Sequence, residues 1–110
     1  MKHFALILRI NPSALTVDQL ITLGEKWSIL IKQWVKEQRF ISNFRFNQAG
    51  YNIIGASEKA IQQGFVMENN LVVSGIFIIS ADDLNQAIEI SKNCPTLDMG
   101  GNVEVREVHS

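Results

Sequence analysis

The sequence predicts one α+β domain: a ferredoxin-like βαββαβ unit whose antiparallel sheet carries two helices on one face and pairs with a second copy of itself. Three observations predict it. The main elements run strand, helix, strand, strand, helix, strand, which is the order of the split βαβ unit. The first and third strands are apolar on both parities, so each needs cover on two faces. The chain has 110 residues, 46% hydrophobic and 19% charged, and a chain of this size buries roughly two thirds of its unfolded surface in a single core.

His3 to Ile10 is apolar and partly β-branched, ends at Asn11 and Pro12, and is too short for a typical helix, so it is strand one. Thr16 followed three residues later by Gln19 has capping-box spacing. From there Val17, Leu20, Ile21, Trp27, Ile31, Trp34 and Val35 recur on one side. Asp18, Glu25, Lys32 and Lys36 hold the other, which gives an amphipathic helix over about residues 17 to 38. Phe40 to Asn47 alternates Phe44 and Phe46 with Asn43, Arg45 and Asn47, the period of a strand with one polar face. Gln48 to Gln63 contains Gly50, Gly55, Ser57 and two β-prone pieces, Tyr51 to Ile54 and Lys59 to Ile61, and reads as a long connection with extra hairpin-like strands.

Leu71 to Ile79 is the third main strand, apolar throughout except for Ser74 and Gly75. Ser80, Asp82 and Asp83 supply caps and negative charge for a second helix through Leu84, Ala87, Ile88 and Ser91, which Pro95 is expected to stop. Gly100 and Gly101 turn the chain into a last strand, Asn102 to Val108, where Val103 and Val105 alternate with Glu104 and Arg106.

Ten basic against eleven acidic residues give a net charge of −1, with Lys26, Lys32, Lys36, Arg39, Arg45, Lys92 and Arg106 dispersed among acids, so no nucleic-acid footprint is present. Cys94 is the only cysteine; an intrachain disulfide and a site of paired thiolates are both excluded, and a reducing compartment is expected. The apolar run Phe4 to Leu8 is interrupted by Arg9, short of a signal-peptide core or a membrane span, so a cytoplasmic location is expected.

Chemical motifs are few. The histidines, His3 and His109, stand near the chain ends outside any spaced ligand set, so no metal is expected. Cys94 reads as a buried structural thiol on the last turn of the second helix. Ser57, Ser74 and Ser80 lack the glycines of a nucleophile elbow, and no glycine spacing matches a nucleotide fingerprint, so no cofactor or catalytic residue is assigned. Trp27 and Trp34, seven apart on the first helix, read as core or interface packing, and Asp82 and Asp83 as helix caps.

Arg9, Arg45, Glu104 and Arg106 remain, polar residues on strands that otherwise bury apolar groups. If they face the uncovered side of the sheet they line a cleft between subunits. There Arg9 and Arg45 could hold an acidic or phenolate ligand by bidentate hydrogen bonds, the alternative being an intersubunit ion pair of Arg106 with Glu104 or Glu68. The dimer itself is expected because leaving Val72, Ile76 or Ile78 in water forfeits roughly 1.5–3 kcal/mol per large side chain, and closed twofold pairing is the commonest remedy. The alternative cover is the Gln48 to Gln63 segment of the same chain.

The C-terminal half resembles the YCII-related family, in particular its DGPF-domain branch. The resemblance is carried by Ser74 to Ile79 (SGIFII), Ala81 to Ala87 (ADDLNQA), Asn93-Cys94-Pro95 and, most specifically, Gly100 to Glu107 (GGNVEVRE). Where the family has Asp, Gly, Pro, Phe, this chain reads Gln63, Gly64, Phe65, Val66, with Glu68 at a following acidic position. The resemblance implies a ferredoxin-like fold and a homodimeric α/β-barrel with a cleft. Three functions follow as expectations: a homodimeric module binding a small polar or acidic metabolite through Arg9, Arg45, Glu68, Glu104 and Arg106; an enzyme on a cyclic or carbonyl metabolite with Glu68 or Glu104 as acid or base; or a structural or regulatory partner protein.

Overall fold

A computed structural model describes residues 1–47, 49–55, 57, 60–64 and 66–109; Gln48, Lys59 and Phe65, which enter the expectations above, lie outside the described residues. The elements are β1 (Lys2–Ile10), α1 (Val17–Lys36), β2 (Phe40–Arg45), β3 (Tyr51–Ile54), β4 (Ala60–Gln63), β5 (Val72–Ala81), α2 (Leu84–Ser91) and β6 (Asn102–Glu107). Four strands form an antiparallel sheet in the order β2-β5-β1-β6, and β3 and β4 form a separate two-stranded ribbon. Each helix connects two strands that have a third between them, an order compatible with a ferredoxin-like unit.

Both helices lie on one face of that sheet. Phe4, Leu6 and Leu8 of β1 and Phe77, Ile79 and Ala81 of β5, alternate residues of their strands, are buried with Leu30 and Trp34 of α1, Ala87 of α2, and Cys94. Phe77 is the centre of an aromatic group. Trp27 stacks on it with ring centroids 4.5 Å apart, and Trp34 meets it edge-on at 5.8 Å.

Local chemistry sets the helix ends. The Thr16 hydroxyl accepts from the Gln19 amide at 3.1 Å and the Gln19 side chain accepts from the Thr16 amide at 2.8 Å, the reciprocal box that the spacing predicts. The helix closes at Lys36, two residues short of the expected end, and Gln38 with φ 61° turns the chain away. In α2 the Asp83 carboxylate accepts from the Gln86 amide at 2.8 Å.

Pro95 does not stop α2. The helix ends at Ser91, and Pro95 instead opens a short 3-10 turn over Pro95–Met99. Cys94 is forced into extended backbone by the proline that follows it, so it lies beyond the helix rather than on its last turn.

Ser74 and Gly75, the polar interruption of β5, mark a β-bulge. The register slips between Leu8, which pairs with Gly75, and Arg9, which pairs with Val73, leaving Ser74 as the extra residue. Its hydroxyl donates to the Leu8 carbonyl at 3.4 Å.

The second face of the sheet stays open. Ala5, Ile7, Val73, Ile76 and Ile78 are half-buried there, and Phe44 is 58% exposed. The ribbon does not fold over it as the intrachain alternative requires. The molecule measures 46 × 39 × 20 Å, and the short axis accommodates one sheet and one helix layer at about 10 Å each. Its radius of gyration of 15.4 Å exceeds the about 13 Å of a compact chain of this length, because the ribbon extends the molecule sideways. Among the described residues no helix is long and apolar enough to cross a membrane.

Candidate functional site

Two cavities adjoin the residues singled out in the sequence. The smaller, about 170 Å³, is lined by Arg9, Glu68, Asn69, Asn102 and Glu104. Antiparallel pairing of β1 with β6 sets Arg9 opposite Asn102 and two rows from Glu104, on the same face of the sheet. The Arg9 guanidinium donates to the Glu104 carboxylate at 2.8 Å across that diagonal, and Arg106 approaches the other carboxylate oxygen at 4.0 Å. Glu68 and Asn69 arrive on a tight turn closed by reciprocal backbone hydrogen bonds between Glu68 and Leu71, at 3.0 and 2.9 Å. Asn69 and Asn70, with φ 53° and 64°, give it the two left-handed residues of a type I′ turn, a conformation asparagine tolerates.

Arg45 stands apart from this group. It pairs with Gly75, which pairs with Leu8, so it belongs to the row whose β1 member is buried beneath the helices, whereas Arg9 and Val73 belong to the open face. The condition for an intersubunit cleft shared by both arginines, that each faces the uncovered side of the sheet, is met by Arg9 and not by Arg45. A second bulge, in β2, is the cause: the register slips between Phe40 and Ser42, and one inserted residue exchanges the two faces of the strand beyond it, turning Phe44 to the open face and Arg45 away from it.

Arg45 lines the larger cavity instead, a groove of about 530 Å³ between the sheet and the ribbon, with Phe46, Asn47, Ala49, Gly50, Tyr51, Asn52, Gly64, Val66 and Val73. Two backbone bonds build it. Phe46 donates to the Ser74 carbonyl at 3.0 Å, carrying the chain past the end of β2, and Gly64 donates to the Gly50 carbonyl at 2.8 Å, closing the base of the ribbon. The volume is that of a small-molecule site. It combines one guanidinium, one phenol and two carboxamides with apolar walls.

Charge separates the two cavities. Arg9 is neutralised by Glu104, while Arg45 has no carboxylate within 4.0 Å among the described residues. A free guanidinium offers a planar fork of donors that matches a carboxylate or phenolate. Tyr51, Asn47 and Asn52 were not singled out in the sequence; the only signal was β-propensity at Tyr51, and their convergence on Arg45 depends on the Gly50–Gly64 closure.

Cys94 is 2% exposed, and burial pushes its thiol from 9.0 up to about 12. The folded chain thus holds a proton that the unfolded chain releases above about pH 9, so this residue's contribution to stability falls as pH rises toward 12. Urea midpoints measured across that window should decline more steeply for the natural protein than for Cys94→Ala. Parallel declines would remove the thiol as the cause.

Compared with models of known families and with curated proteins, the chain matches none.

Proposed function

We propose that the chain is a homodimeric small-molecule-binding module of the YCII-related kind, DGPF branch, whose Arg45 groove takes a small metabolite bearing a carboxylate or phenolate. The observation that carries this reading is the Arg45 guanidinium, with no carboxylate within 4.0 Å among the described residues, on the wall of a groove of about 530 Å³ beside Tyr51, Asn47 and Asn52. Phe46, Val66 and Val73 would hold the apolar body of the ligand while Arg45 holds its charge. In this reading two open sheet faces pack against each other as a dimeric α/β-barrel and remove Ile76, Ile78 and Phe44 from water. The Arg9–Glu104 pair belongs to the framework, not to the ligand.

Thermal unfolding against a panel of aromatic and aliphatic carboxylates tests it. A ligand at 100 times its dissociation constant adds about 2.7 kcal/mol, which is a clear shift in midpoint. Hydrogen bonds to a charged group contribute about 1.5–3 kcal/mol, so Arg45→Ala should weaken binding by about 10- to 100-fold while Arg9→Ala leaves it nearly unchanged. Full affinity in Arg45→Ala would overturn the assignment.

A further inference from the structure

Among the described residues, the ribbon of β3 and β4 packs chiefly on itself. Its register pairs Tyr51 with Gln63 and Ile53 with Ile61, placing Tyr51, Ile53 and Ile61 on one side. These three are 68%, 62% and 68% exposed. A two-stranded ribbon left to itself in water is marginally stable at best, and this one shows an apolar face to solvent.

The same chain carries a second unpartnered surface, the open face of the main sheet, apolar at Ile7, Ile76, Ile78 and Phe44 and charged toward β6 at Arg9, Glu104 and Arg106. A ribbon that projects sideways in the plane of a molecule only 20 Å thick does not cover its own sheet. Two copies related by a twofold axis satisfy both surfaces twice, because in an isologous pair each ribbon finds the other chain's sheet. From these observations we infer that the ribbon is a clasp: in the dimer, the Tyr51, Ile53 and Ile61 side of each ribbon packs on the open sheet face of the other protomer.

Area favours a second copy as the occupant. At about 4.8 Å between strands and about 3.3 Å per residue, one face of β1, β2 and β5 together with the ribbon, leaving out the charged strip of β6, tiles about 520 Å². Side-chain relief raises the accessible area toward the about 800 Å² per partner of a standard stable interface. Pairing along the outer edge of the sheet is disfavoured, since the edge strand β6 carries Glu104, Arg106 and Glu107. The clasp deepens the proposed function, on which it rests: the ribbon supplies Tyr51 and Asn52 to the Arg45 groove, so the partner that steadies the ribbon also steadies the ligand site.

The test is the solution mass of the double variant I53D/I61D, measured by light scattering at tens of micromolar beside the natural protein. Both side chains are exposed, so the fold should survive, checked by far-UV circular dichroism. The natural protein is expected to be a dimer and the variant a monomer. A variant that remains dimeric overturns the clasp while leaving the proposed dimer intact, and a natural protein that is monomeric overturns both. A second measurement does not depend on breaking the interface. Mixing Ile53→Cys with Ile76→Cys under mild oxidation should give a crosslinked heterodimer, because Cys94 is buried and unreactive; crosslinking only within each variant would overturn the proposed contact.

Discussion

Phe77→Ala is expected to lower the free energy of unfolding by about 3–5 kcal/mol, the range for removing a large aromatic side chain from a packed core. The site cannot collapse to fill the gap. Phe77 is 5% exposed and lies on β5, an inner strand of the sheet, against α1. Its ring is in contact with Trp27 at 4.5 Å, Trp34 at 5.8 Å and Phe40 at 6.4 Å. The aromatic partners are rigid and held from two elements, α1 and β2, so each loses contact area that no rotamer change restores. Against a typical total of about 5–15 kcal/mol, such a loss leaves a marginal or unfolded domain. Urea unfolding followed by tryptophan fluorescence reports both outcomes, since Trp27 and Trp34 are the partners that would be exposed. A loss under about 1 kcal/mol would mean that the cluster does not organise the core.

Gly101→Ala should be comparably damaging for a different reason. A Cβ at this position would sit 2.3 Å from the Arg9 carbonyl oxygen and 2.7 Å from the Thr96 methyl. The first of these is backbone in β1 and has no rotamer with which to yield. Relief requires β6 to separate from β1 where it begins, at a cost of about 3 kcal/mol or more. The displacement would also move Arg9 and Asn102, two walls of the smaller cavity. Gly24→Ala is the matched control. Nothing lies within 4 Å of a Cβ there, and an alanine inside a helix is favoured over glycine by about 0.5–1 kcal/mol. Denaturation midpoints of the two variants should therefore move in opposite directions; a neutral Gly101→Ala would show that the β1–β6 junction gives way easily.

The regular elements were legible in the sequence because each carries its own local signal. Thr16 with Gln19 marks the start of α1, the alternation of Val103 and Val105 with Glu104 and Arg106 marks β6, and the two-sided β1 and β5 mark the inner strands. The β-prone pieces at Tyr51 and Ile61 became the ribbon. What could not be read was set by contacts between distant segments. The insertion in β2 between Phe40 and Ser42 exchanges faces along that strand, and only the register against β5 reveals it, so Arg45 and Arg9 could not be separated by alternation alone. Phe44 and Phe46 follow a clean period of two, yet that period does not say which face is covered; both are more than half exposed. Arg9 looked free until β1 and β6 were adjacent and Glu104 stood beside it. Pro95 was a sound breaker signal, but the helix had already closed and the proline was used to begin the next turn.

The position of β1 inside the sheet has a consequence for how the protein is made. Its two neighbours are β5, beginning at Val72, and β6, beginning at Asn102, so β1 leaves the ribosome well before either of the strands it pairs with. At about 5–20 residues per second, roughly 4–14 s pass before β5 is synthesised, and longer before β6 emerges. During that interval α1 is the element available to shelter Phe4, Leu6 and Leu8, and Ile7 on the other face has no cover. The sheet is then completed only once β6 is available, by pairing residues as far apart in sequence as Phe4 and Glu107, which is the slow and aggregation-exposed route. Expression should accordingly respond to lower temperature and to chaperone supply more than the size of the domain alone suggests.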